Sequence, residues 1–187
     1  MAYSIEKTST VTTSDIITTA DLKEHLRVDH SDEDTLIDAL RDAAIDYVQN
    51  YCNIHLGDVT AVMYLDRFYN TWEIPVGPVI SISGITYSVS SDTTETLNTA
   101  NYYVDVKRAP ARISIIHIPQ VYDYVHNGVQ VAFSYGYAED AIPKAIKHAI
   151  RLLVAHWYEN RRQVIQANSY EVPMGVHALL NGYRIER

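Results

Sequence analysis

A chain of 187 residues, 47% hydrophobic and 20% charged, is long enough for one domain with a full core, or for such a domain with one sizeable insertion. The formal charge of -8 argues against a broad nucleic-acid-binding face, and the single cysteine, Cys52, excludes an intrachain disulfide and fits a reducing compartment. No segment approaches roughly 18 continuous apolar residues, and the N-terminus lacks a charged start followed by an apolar stretch, so neither a membrane span nor a secretory signal is expected.

Residues 1–18 are rich in Ser and Thr without a helical period and are expected to form an extended arm, ordered against a neighbour. A short helix is predicted at 20–28, with Leu22 and Leu26 on its apolar side and Thr18 and Asp21 at capping-box spacing. Ser31-Asp32-Glu33-Asp34 then offers a hydroxyl N-cap, a carboxylate three residues on and negative charge in the first turn, which predicts a long helix over 31–53. Leu36, Leu40, Ala43 and Tyr47 form one apolar row and Ile37, Ala44, Val48 and Tyr51 the next, while Asp38, Arg41, Asp42, Asp46 and Gln49 take the opposite side. Gly57 is the expected stop.

The period changes in the middle of the chain. Strands are predicted at 59–68, 79–87, 101–106, 111–116 and 129–136, a strand-rich insertion over 59–136. Pro75-Val76-Gly77-Pro78 is a rigid turn, 88–101 is a polar loop or hairpin tip, and Asn127-Gly128 is a tight turn before the last strand. Short connections and the lack of a βαβ repeat imply an antiparallel or mixed sheet.

Pro143, suited to the first helical position, opens a long helix predicted over 142–165 and continuing as far as 167. Ile142, Ile146, Ile150, Leu153 and Trp157 form its apolar face, and Lys144, Lys147, Arg151, Arg161 and Arg162 bring positive charge. A docking tail at 168–187 ends the chain: 172–176 is compact and apolar, and 177–180 adds one helical turn, a small amphipathic element expected to dock on its own body or on a partner. The predicted class is therefore α+β: a small helical bundle built from a long N-terminal and a long C-terminal helix, with an inserted antiparallel or mixed β-sheet region. The core spans 19–167.

Charge is unevenly placed. Residues 1–60 hold 12 Asp/Glu and 4 Lys/Arg, net -8, and residues 140–187 hold 4 and 7, net +3. Such a split can be complementary between copies or within one copy. It suggests a subunit interface in which Asp38, Asp42 and Asp46 of one copy approach Arg151, Arg161 or Arg162 of the next. The 15 tyrosines, against 2 Phe and 2 Trp, suit contact surfaces, and strands favour them as well.

Catalytic chemistry has little support. His25 and His30 lie among carboxylates, but neither an HExxH pair nor an EF-hand loop occurs, so no metal is expected. His148, His156 and Glu159 share a helix without a convergent third group. There is no GxSxG elbow, no activated cysteine and no phosphate-binding glycine loop, so no cofactor is expected. Trp157, Tyr158, Arg161 and Arg162 form a basic-aromatic cluster better suited to a protein partner than to nucleic acid.

Four segments carry a resemblance: DLKEHLRVDHSDEDTLIDALRDAAIDYVQNYC (21–52), IPVGPVISISGITY (74–87) with NYYVDV (101–106), VQVAFSYGYAEDAIPKAIKHAIRLLVAHWYENR (129–161) and VPMGVHALLNGYR (172–184). In order and spacing they resemble the phage head–tail connector (adaptor) proteins, which sit beneath the portal in tailed bacteriophages and prophages. The strand-rich middle is larger here than in the most compact relatives. The resemblance implies a non-enzymatic virion component at the head–tail junction, made in the host cytoplasm. It implies a homo-oligomeric ring of about twelve copies, with the portal protein on one side and a tail or stopper protein on the other. DNA would pass through the opening without sequence readout, and no membrane is involved. It also implies a portal-docking C-terminal segment, here Val172, Pro173, Met174, Val176, Leu179, Leu180, Tyr183 and Arg184. The competing readings are a non-viral oligomeric interaction protein and an enzyme with a dispersed active site.

Overall fold

The computed structural model describes residues 3–160 and 174–186. It is an α+β structure of eight strands and five α-helices among those residues, rather than two long helices with a sheet between them. The chain divides into two compact units. One comprises residues 1–10, 58–136 and 185–187, and the other Val11–Gly57 with Tyr137–Arg184.

The first unit holds all the strands: β1 (Ser4–Lys7), β2 (Val59–Leu65), β3 (Thr71–Ile74), β4 (Val79–Ser88), β5 (Thr94–Thr96), β6 (Tyr102–Asp105), β7 (Ala111–Ile115) and β8 (Val129–Tyr135). They form a five-stranded sheet in the order β1-β2-β8-β4-β5 and a three-stranded sheet in the order β3-β7-β6. Every strand pairing is antiparallel. The alternation expected of a half-buried strand is clear in β2, where Val59, Ala61, Met63 and Leu65 are buried, and in β8, where Val129, Val131, Phe133 and Tyr135 are. Trp72, Ile74, Ile113 and Ile115 give the smaller sheet its buried face. Asn127, with φ 57, makes the predicted tight turn.

Three strands lie outside the sequence expectations. β1 and the short helix α1 (Thr13–Ile16) form within residues expected to be an extended arm, and β1 pairs with β2 of its own chain. β3 is four residues long, and β5 lies in the stretch expected to be a polar loop. Both are too short to show a period.

The second unit is helical: α1, α2 (Thr19–Leu26), α3 (Asp34–Cys52), α4 (Lys144–Glu159) and α5 (Met174–Leu180). α2 starts as predicted, with Thr18 and Asp21 forming a reciprocal capping box. The Thr18 hydroxyl bond, helped by its backbone amide and by the charges of Arg151 and Lys147, holds the Asp21 carboxyl below its usual range. α3 does not use the predicted Ser31 cap. Asp34 N–H bonds to Ser31 C=O, which makes residues 31–34 a turn, and Glu33 takes the cap position without a side-chain capping bond. α3 ends at left-handed Asn53, four residues before Gly57. Gly57 has φ +95, and an added Cβ there would lie 2.5 Å from a Val11 methyl, so only glycine fits this crossing of chain segments. Pro143 stands one position before the first turn of α4 rather than within it. The part of the predicted helix beyond 160 lies outside the described residues.

α3 and α4 pack together, and α2 and α5 pack on α4. Ile37, Ala44, Ile45, Val48 and Cys52 of α3 are buried, with Ile146, Ala149, Ile150, Leu153 and Val154 of α4. Arg41, expected on the polar side, is buried instead. Its guanidinium donates to Asp38 at 2.8 Å and Asp42 at 3.1 Å, and to the Thr19 and Thr13 hydroxyls at 3.3 and 3.4 Å. One cation thus ties the starts of α1 and α2 to α3. Arg41→Met is expected to lower unfolding free energy by about 1–3 kcal/mol, discounted because both carboxylates reach solvent. Urea denaturation followed by circular dichroism measures this.

Cys52 is fully buried, and burial pushes its thiol up to about 11. Burial likewise raises Tyr47, Tyr135 and Tyr137. An acid whose folded value is raised stays neutral in the fold while the unfolded chain ionises. The contribution of these groups to stability is therefore expected to be level below pH 9 and to fall as pH rises from 9 towards 11. Thiol reagents at pH 8 should label Cys52 only in denaturant, and labelling as fast as a free thiol would contradict its burial.

Candidate assembly surfaces

The acidic row of α3 has two functions. Asp38 accepts from Thr19 Oγ1 at 2.6 Å as well as from Arg41, and Asp42 accepts from Thr13 Oγ1 at 2.7 Å as well as from Arg41. Both carboxylates stay about half exposed while holding α1 and α2. Asp46 is exposed and carries no ion pair among the described residues, with only a 3.5 Å approach from the Gln49 amide. On α4, Arg151 is half-buried, and its charge is felt at Asp21. Arg161 and Arg162 lie outside the described residues.

Beside the acidic row runs one of the two apolar rows read from the sequence of this helix. Leu36 and Ala43 are exposed, and Leu40 and Tyr47 are half-buried. Tyr47 stacks on Tyr51 at 6.0 Å and meets Trp157 edge-on at 6.3 Å. Tyr158 O–H donates to Glu33 beside the start of α3. A helical period shows that two adjacent rows are apolar but does not say which of them turns inward.

The C-terminal segment docks on its own unit and leaves part of itself outside. Val176 and Leu180 are fully buried. Cys52 Sγ lies 3.8 Å from Leu180 O, and Tyr51 O–H donates to Asn181 Oδ1 at 3.0 Å. Tyr51 also meets the His177 ring at 5.0 Å and the Arg184 guanidinium at 5.2 Å. Met174 is 86% exposed, Leu179 and Tyr183 are half-buried, and Arg184 is exposed. Val172 and Pro173 lie outside the described residues.

The β unit has apolar surface of its own. Tyr103 is 72% and Tyr124 87% exposed, and Val104, Val106, Ile116 and Ile118 are also solvent-facing. A groove of about 400 Å³ runs between Asp66–Phe68 and the loop from Ile118 to His126. No cluster of three or more His, Cys, Asp or Glu that could hold a metal occurs among the described residues. No helix among them is long and apolar enough to cross a membrane. Exposed aromatic and apolar side chains are the kind that carry binding energy where two macromolecules meet.

Comparison with known proteins follows the same line. Two solved structures share the fold at 21% identity and TM-score 0.78, covering 98% of this chain and 96% of theirs: the neck of an empty GTA particle computed with C6 symmetry, and the virion of a native gene transfer agent (GTA) particle. The neck of a native GTA particle computed with C12 symmetry matches over the same shares at 21% identity and TM-score 0.74. No curated protein sequence matches. A family model described as head completion protein matches residues 15–185, nearly the whole chain. The protein belongs to the head completion protein family.

Proposed function

We propose that this chain is a structural subunit of the virion neck. Copies form a ring at the head–tail junction, with the portal on one side and a tail or stopper protein on the other, and DNA passes through the central opening without base readout. The match to the head completion family over residues 15–185 carries this reading. The shared fold with chains from particle necks solved with C6 and C12 symmetry supports a ring of about twelve copies. No part of the proposed role requires chemistry.

A ring needs two different patches that meet head to tail. The α3 surface with Asp38, Asp42 and Asp46 is proposed as one patch, and Arg151, Arg161 and Arg162 of the neighbour as the other. Asp46 and Arg151 are the best placed, because Asp38 and Asp42 are already shared with Arg41. Exposed ion pairs contribute only about 0–1 kcal/mol each, so Leu36, Ala43 and Tyr47 supply the apolar part of the contact. The tail at 168–187 is proposed to grip the portal through Met174, Leu179, Tyr183 and Arg184, with Val172 and Pro173 leading in. Val176 and Leu180 anchor it to its own unit.

Cryo-electron microscopy of the protein mixed with its cognate portal is expected to show a ring of density beneath the portal. A portal left bare at saturating protein would refute the reading. Asp46→Lys and Arg151→Glu should each raise the concentration needed for half-assembly several-fold, and the double reversal should recover most of that loss. A double variant as poor as the sum of the singles would rule out this pairing while leaving the ring intact.

A further inference from the structure

We infer that neighbouring copies are joined by strand pairing, the free edge of β1 in one copy adding antiparallel to the free edge of β6 in the next. This rests on the ring reading above. The two sheets end on four edge strands, β1, β5, β3 and β6; β4 has no strand partner beside β8 over 79–84 among the described residues, but two register shifts interrupt that stretch and blunt it as an edge. An unpaired edge is a row of N–H and C=O groups that only another extended chain can satisfy along its length, and most natural edges are blunted. β5 is three exposed polar residues, Thr94, Glu95 and Thr96. β6 carries exposed Tyr103 and Val104, with Val106 just beyond, and its only charge, Asp105, is near Arg112.

Backbone parity selects the partner. Ile116 N–H donates to Asn101 C=O at 2.8 Å, so the Asn101 carbonyl and the amides of Tyr103 and Asp105 turn towards β7, and Tyr102 and Val104 turn theirs to the free edge. Thr8 N–H donates to Thr60 C=O at 2.8 Å, so Ser4 and Glu6 turn towards β2, and Ile5 and Lys7 turn outward. On both edges the outward amides belong to residues whose side chains lie over the buried face. Val104 is opposite Ile113 and Ile5 is opposite Met63, both fully buried. In a strand of L-residues, the face a side chain takes fixes the side to which its amide points. β1 and β6 therefore have the same hand, and pairing them antiparallel keeps both buried faces on one side. β3 has the opposite hand. Ile115 N–H donates to Asn70 C=O, which leaves the outward amides to Thr71 and Glu73, whose side chains face away from the core.

Side chains select the register. Setting Ile5 opposite Val104 sets Tyr3 opposite Val106 and Lys7 opposite Tyr102. Tyr3, Val104 and Val106 are 39%, 36% and 36% exposed, and this register covers all three with apolar neighbours. A slip of two residues one way sets Glu6 against Asp105 and Val104 against Lys7, and the other way carries Val106 past the described end of β1. Because the two edges differ, the contact is heterologous and propagates around a ring instead of closing as a dimer.

The test is a full-length Ile5→Cys, Val104→Cys double variant oxidised in assembled particles. A hydrogen-bonded antiparallel pair has Cα atoms about 5.5 Å apart, within disulfide reach. The expected result is a ladder of covalent oligomers on a non-reducing gel, with no ladder from either single variant. Buried Cys52 should stay silent. Necks that contain the ring but yield no ladder would overturn the strand pairing alone, and necks without the chain would overturn the ring reading as well. Dimers from Val104→Cys alone would mean β6 pairs with itself, and would also overturn the proposal. Independently, Val104→Pro removes an outward N–H without touching the β7 ladder. It should leave circular dichroism and melting unchanged while cutting incorporation into necks at least tenfold, and normal incorporation of a folded variant would count against the inference.

Discussion

A helix can turn only part of its circumference inward, and α3 carries more apolar side chains than that part can hold. Ile37, Ala44, Ile45, Val48 and Cys52 take the inward positions, so Leu36 and Ala43 remain outside. Arg41 sharpens the constraint. With its guanidinium buried among Asp38, Asp42, Thr13 and Thr19, it fixes the rotation of α3 against α1 and α2. Rotating α3 to bury Leu36 would pull that cation from its partners, and an unpaired buried charge is costly. The exposed apolar row is thus a consequence of how the helical unit is tied together.

The β unit meets a similar limit by another route. An open sheet always has edges, and eight short strands divided between two sheets have four. Hydrophobic burial across a sheet does not stop at its last strand, which is why Val104 lies on the buried face of its sheet and yet remains 36% exposed. In both units the fold finishes its own core and leaves apolar surface that another molecule can cover. The proposed role in a ring would give that surface a purpose, since a ring subunit works through its contacts.

The candidate surfaces were unevenly legible in the sequence. The acidic and basic blocks were plain from composition, but their division of labour was not. Nothing in the spacing of Asp38, Asp42 and Asp46 says that the first two are held by Arg41 and the third is not. The tail pattern Val176, Leu179, Leu180 announced a small amphipathic element without saying where its apolar side would rest. Tyr51 and Cys52, about 130 positions earlier, provide the answer. Contacts at such sequence separation leave no local periodic trace.

Local chemistry was enough for the sequence to determine the α+β class, the α2 capping box, the long amphipathic helices, the larger strands and the Asn127 turn, because each depends on neighbours within a few residues. The tertiary structure alone decided that β1 pairs with β2, that the strands divide into two sheets, which row of α3 turns inward and which amides face a free edge. Those outcomes depend on pairing between distant segments and on the direction of backbone hydrogen bonds. A one-residue shift reverses both while leaving the hydrophobic pattern unchanged.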